Sequence, residues 1–297
     1  MSTLFTPRGS WVALVTPLAA DGSIEPGDLG GLLDRHVAAG TDGIVLAGTT
    51  GESAALETQE FRLLLDAGLR AVDGRRPVLA GVGAASTAKA VKLARIAEEA
   101  GVDGMLCVTP YYLRTTQAGL EAHYHALAEA VDLPIVLYNV PSRTGVDLLP
   151  ETVAGLSRLE SIVAIKEAVP DAARVERLVA DCAPDFAVLS GDDASALDAL
   201  KSGAVGVISV TANVVPALLH RLCQLAGEDL AAAEALQERL QPLHAALMEE
   251  PNPIPVKAAL AELGLLQPVL RRPLVPASTT VLAKLRVLLD EFRNDLL

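Results

Sequence analysis

Ile162-Val163-Ala164-Ile165-Lys166-Glu167 is an unbroken apolar run that ends on two charged residues. A strand with one wet face would alternate apolar and polar positions. The lack of alternation over Ile162–Ile165 marks a strand covered on both sides, as in a parallel sheet lined by helices. Lys166 then leaves the strand at the rim of a low-dielectric core. Desolvation there disfavours an ammonium and favours a neutral, nucleophilic amine. The competing reading is a lysine that lays its stem along the surface and pairs with Glu167, so the surrounding sequence has to decide.

Moving outward, similar runs recur roughly every 20–35 residues, the length of a strand–helix unit. They are Trp11–Val15, Ile44–Ala47, Val78–Ala80, Met105–Val108, Ile135–Leu137, Ile162–Ile165, Ala187–Leu189 and Val207–Val210. Amphipathic helices fit between several of them. Phe61, Leu64, Leu65, Gly68, Leu69 and Val72 follow one helical stripe. Ala90, Leu93, Ala94 and Ala97 follow another, with Ser86 as N-cap and Gly101 as terminator. Leu120, Leu127, Ala128 and Val131 mark a third. Eight alternations predict an α/β fold, a (β/α)8 TIM barrel, rather than an open doubly wound sheet. The expected division is a barrel over residues 1–220 and a C-terminal helical extension over 221–297, punctuated by Pro251-Asn252-Pro253-Ile254-Pro255.

Composition narrows the function classes. The chain has 24 basic and 37 acidic residues, net −13, which argues against nucleic acid or an anionic membrane as partner. Hydrophobic residues make up 51% and aromatics 3%, so the core has to be aliphatic. Three cysteines, Cys107, Cys182 and Cys223, form no CxxC pair and suit a reducing cytoplasm. The apolar stretch Trp11–Ala20 after Arg8 mimics a signal peptide, yet Pro17 interrupts it and its first half reads as the first strand. Ser202–Leu219 lacks charges but holds Gly, Ser, Thr, Asn and Pro, so it reads as strand, loop and helix rather than a membrane span.

Polar residues concentrate just after the apolar runs: Gly48-Thr49-Thr50-Gly51-Glu52-Ser53, Thr109-Pro110-Tyr111-Tyr112, Tyr138 to Gly145, Lys166-Glu167, Ser190 to Asp193 and Thr211-Ala212-Asn213. In a parallel barrel these positions share the face on which active sites are built. Gly48–Gly51 before a helix offers hydroxyls and backbone N–H groups to a carboxylate, or forms a plain turn. Arg143 can hold a second carboxylate bidentately, or form a surface ion pair. The Tyr138 hydroxyl can shuttle a proton to an imine, or act as an aromatic lid. No metal or cofactor is expected. Asp192 and Asp193 read as helix caps, His123 and His125 face different sides of one helix, and Gly81-Val82-Gly83 lacks the last glycine of a dinucleotide fingerprint.

Longer stretches add a resemblance. GTTGES (48–53), VTPYY (108–112), LYNVPSRTG (137–145), IKEA (165–168), LSGDDASALD (189–198), GVISVTAN (206–213) and EPNPIPVK (250–257) resemble the dihydrodipicolinate synthase family of pyruvate-dependent class I aldolases. The resemblance implies that Lys166 forms a Schiff base with pyruvate and that Tyr138 relays protons with Thr49 and Tyr112. Tyr112 would come from a neighbouring subunit of a homotetramer built as a dimer of dimers. It further implies that Thr50, Ile208 and Gly191 line the pyruvate site, and that Arg143 holds the carboxylate of L-aspartate 4-semialdehyde. One departure stands out. Where lysine-inhibited members carry two histidines, an asparagine and an acid, this chain has Thr58, Phe61, Ala85 and Lys89, with Ser53, Ala54 and Tyr111 kept. A cation at Lys89 predicts insensitivity to lysine. Two other readings remain: a sibling aldolase such as N-acetylneuraminate lyase or a 2-keto-3-deoxy-sugar acid aldolase, and a non-catalytic barrel that binds a keto acid.

Overall fold

Each of the eight apolar runs carries a β-strand in the computed structural model, which describes residues 5–296. The strands are β1 (Gly9–Ala13), β2 (Gly43–Leu46), β3 (Val78–Gly81), β4 (Gly104–Val108), β5 (Ile135–Asn139), β6 (Ile162–Glu167), β7 (Ala187–Ser190) and β8 (Gly206–Ser209). They pair in parallel in chain order, and β8 returns to β1 to close the barrel. Helices on the outside cover every strand, which is why the runs carry no polar alternation. The ends of the expected division, residues 1–4 and 297, lie outside the described residues.

Two apolar cores follow from the closure. The larger lies between strands and helices, where the predicted stripe residues Phe61, Leu64, Leu65 and Val72 are buried. The smaller fills the barrel itself and contains Trp11, Val45, Leu79, Val136, Ala164, Leu189 and Ile208. Trp11 is its bulkiest plug, and Gly43 makes room for it: a Cβ at residue 43 would lie 2.4 Å from the indole ring. Such packed interiors leave no slack, so each fully buried aliphatic side chain contributes about 1.5–3 kcal/mol. Ser86 caps the helix Thr87–Ala100 through its side chain, and Gly101 ends it in the left-handed region, as predicted.

Strand ends differ from the sequence reading in one respect that matters. Tyr138, Asn139, Lys166 and Glu167 are the last residues of β5 and β6, not of the loops after them. Ladder pairing, Tyr138 to Lys166 and Asn139 to Glu167, therefore fixes their backbones. The helix Pro216–Glu228 packs on β1 and crosses residue 220. Beyond it come the helices Leu230–Leu247, Ile254–Glu262 and Thr279–Glu291. Among the described residues, no helix is long and apolar enough to cross a membrane.

Candidate active site

Side chains alternate across a strand, so Lys166 and Glu167 go to opposite sides of the barrel wall. Lys166 points inward and is 4% exposed, with Nζ 4.5 Å from the ring centroid of Tyr138. Glu167 points outward to the helices, where Arg174 Nε donates to Oε2 at 2.8 Å and Val169 N to Oε1 at 2.8 Å. Burial pushes the Glu167 carboxyl up even so. The alternative pairing of Lys166 with Glu167 does not form, and among the described residues Lys166 has no acidic partner within 4.0 Å. Space for its stem comes from the residue just past β7. A Cβ at Gly191 would meet Lys166 Cγ and Cε at 2.9 Å.

Tyr138 and Ile208 face the same interior as Lys166 and are buried. Around the mouth, a cavity of about 410 Å³ is lined by residues that include Thr49, Val108, Tyr111, Val140, Arg143 and Asn252. Arg143 sits on the short helix Pro141–Thr144, and its Nη2 donates to the Asn252 carbonyl at 3.4 Å. Thr50 is buried, and its Oγ1 accepts from Asn252 Nδ2 at 3.0 Å. A three-residue turn, Ser53–Ala55, separates this loop from the helix Thr58–Val72, so Gly48–Gly51 does not lead directly into a helix. Tyr112 stands apart. It is 89% exposed, with a φ of 74°, and the lining of the cavity holds Tyr111 instead.

Several other strand-end polar residues serve the scaffold. Asn213 accepts from Val15 N and donates to the Ala13 and Val210 carbonyls, tying β8 to β1. Thr211 Oγ1 lies 2.8 Å from His244 Nδ1 on the extension. Asp192 accepts from the N–H and hydroxyl of Ser195, at the entrance of the helix Ala196–Lys201. Asp193 does not cap that helix with its side chain. Its Oδ2 instead accepts from Val210 N and Thr211 N.

The extension contributes groups that strand-end reasoning missed. Glu52 and Lys257 form an ion pair at 2.6 Å, with both side chains 1% exposed. Arg271 N donates to the other Glu52 oxygen at 2.8 Å, and the Arg271 guanidinium holds Glu60 and the Ala55 and Gly22 carbonyls. Burial pushes the Lys257 ammonium down, against the pull of Glu52. Glu52 itself has a φ of 57°, unusual for a side chain with a Cβ, and this latch holds it there. The signal in the sequence is two charges in otherwise neutral segments, GTTGES and PNPIPVK, but only the fold brings them together.

Six of the seven positions compared above with lysine-inhibited members, Ser53, Ala54, Thr58, Phe61, Lys89 and Tyr111, line one cavity of about 160 Å³. Ala85 is not in that lining.

The sequence model of dihydrodipicolinate synthetases matches residues 6–292. The chain belongs to the dihydrodipicolinate synthetase family. Among its relatives in this family, the 4-hydroxy-tetrahydrodipicolinate synthase of Thiobacillus denitrificans is 49% identical over 279 residues, 94% of each chain. The crystal structure of the dihydrodipicolinate synthase from Aquifex aeolicus superposes with a TM-score of 0.95 at 41% identity, covering 98% of this chain and 99% of that one. The chloride-inhibited dihydrodipicolinate synthase from Acinetobacter baumannii, complexed with pyruvate, gives a TM-score of 0.94 at 42% identity, covering 96% and 99%.

Proposed function

We propose that the chain condenses pyruvate with L-aspartate 4-semialdehyde to 4-hydroxy-2,3,4,5-tetrahydrodipicolinate, the activity of 4-hydroxy-tetrahydrodipicolinate synthases on the route to lysine and diaminopimelate. The observation that carries this reading is Lys166: a buried amine without an acidic partner among the described residues, facing Tyr138 at the mouth of a closed barrel. Its nucleophile attacks the pyruvate ketone, water leaves, and a protonated imine forms. That imine is the electron sink, so the step asks for no metal or cofactor. Loss of a methyl proton gives an enamine, whose carbon attacks the aldehyde of the second substrate. The amine of that substrate then adds to the imine carbon, closes the six-membered ring and releases Lys166.

The roles of the site residues are those that membership of the family implies. Tyr138 moves protons at the imine, in a relay with Thr49 and Tyr112. Thr50, Gly191 and Ile208 bound the pyruvate pocket, and Arg143 takes the carboxylate of the semialdehyde. Tyr112 acts in the neighbouring subunit's site within a tetramer. Support comes from its 89% exposure beside Leu113 at 64%, an apolar pair that a subunit contact would cover. The described cysteines are free, as in a cytoplasmic protein.

Reduction with borohydride in the presence of pyruvate should leave a pyruvyl adduct on Lys166. Tyr138→Phe should still trap that adduct while turnover falls about 10²–10⁴-fold. A coupled assay run beside N-acetylneuraminate cleavage separates the sibling aldolases, and trapping without turnover identifies a keto-acid binder. An adduct that is absent, or on another side chain, defeats the proposal.

A further inference from the structure

Behind Lys166 and Tyr138, on the outer side of the barrel wall, four polar side chains close into one network. Asn139 and Glu167 are ladder partners at the ends of β5 and β6, one residue past Tyr138 and Lys166. Asn139 Nδ2 donates to both Glu167 oxygens at 3.1 Å and to Asp147 Oδ1 at 2.8 Å. Asn139 Oδ1 accepts from Leu148 N at 2.9 Å. Arg174, on the helix Ala172–Asp181, donates to Glu167 Oε2 at 2.8 Å and grips Asp147 through both terminal nitrogens at 3.0 and 2.8 Å. Its Nη2 also reaches the Leu148 carbonyl. The Glu167 side chain is fully buried and Arg174 is 11% exposed.

We propose that Glu167, through Asn139 and Arg174, is the positioning residue of the site. The inference rests on the aldolase reading above. A buried carboxylate is costly unless every lone pair is used. Here its acceptors are taken by three different elements, so it can occupy only one geometry. That geometry fixes the relative height of β5 and β6, and with it the face-to-face approach of Tyr138 and the Lys166 amine. Its partners Asn139 and Arg174 in turn anchor residues 147 and 148, the far end of the loop that carries Arg143. Glu167 contacts no reacting atom, so its effect reaches the chemistry only through placement, where small displacements of a nucleophile are expensive.

The test is Glu167→Gln, which keeps the size but sets an amide N–H₂ against the Arg174 Nε–H. The rate of borohydride-trappable imine formation per folded molecule should fall about tenfold or more, as should kcat, with the melting temperature still showing a folded barrel. Arg174→Gln should reproduce the defect, and the double variant should be no worse than either single one, because all three break the same link. Two results overturn the proposal. One is a folded Glu167→Gln that traps pyruvate at the wild-type rate. The other is failure of both single variants to fold, which would make the network a requirement of the barrel and not of the site. Absence of any adduct in the wild-type chain would overturn the aldolase reading itself, and a wild-type adduct with an unaffected variant rejects only the positioning role.

Discussion

A buried charge has to be answered by its surroundings, and this chain answers its two inner lysines differently. Lys257 is matched to Glu52 at 2.6 Å with both side chains 1% exposed, whereas Lys166 faces an aromatic ring and, among the described residues, no acid. The first arrangement holds structure in place, and the second leaves an amine available. Lys257→Met should expose the difference. It strands the Glu52 carboxylate in the core, a loss of about 3–5 kcal/mol, while replacing both partners with apolar or neutral groups of similar size costs far less. Urea unfolding of Lys257→Met and of Glu52→Gln/Lys257→Met measures this directly. The double variant should regain most of the midpoint. A single variant as stable as the wild type would mean that the pair contributes nothing to holding the Thr49–Thr50 loop.

Elements decide which residues meet. The turn Ser53–Ala55 and the helices Thr58–Val72 and Thr87–Ala100 enclose the small cavity that carries Lys89 and Tyr111. The ammonium of a lysine ligand placed there would face the Lys89 ammonium, and like charges at close range weaken binding. Steady-state turnover should therefore be unchanged by sub-millimolar lysine, and Lys89→Glu is the variant that should introduce sensitivity. Marked inhibition of the unaltered chain at that concentration would reject the argument. The strands around this cavity were legible because both faces of each are dry, and a dry strand writes an apolar run. Lys166 was legible because a charge terminates such a run. Asn252 and Lys257 were not, because their partners Thr50 and Glu52 lie more than half the chain away and no local periodicity links them. The exact strand ends were also hidden: Lys166-Glu167 and Tyr138-Asn139 look like loop residues until the ladder between them is seen.

Closing eight strands into one barrel and wrapping it with helices also removes histidines from water, and this sets how the whole molecule responds to acid. His36 is fully buried, its Nδ1 lies 2.9 Å from Thr41 Oγ1, and its Nε2 has no partner among the described residues. Burial, helped by the nearby Arg35 charge, lowers its pKa to about 3. Burial likewise lowers His123, on the helix Gln117–Ala128, to about 4. In the unfolded chain both return to their ordinary value of about 6.5. Below that value the unfolded chain binds protons that the folded one refuses, so the stability present above about pH 6.5 is lost as pH falls through the folded values. Each histidine can contribute a slope of up to about 1.4 kcal/mol per pH unit. Glu167 works in the opposite sense, since its raised carboxyl takes up a proton in the folded state before it does so in the unfolded chain, but it is one carboxyl against two imidazoles. The melting temperature should therefore decline between about pH 7 and about pH 5, and His36→Gln should flatten that decline even if it lowers the plateau. A melting temperature that holds steady or rises over the same interval would show that the two imidazoles are not kept neutral by the fold.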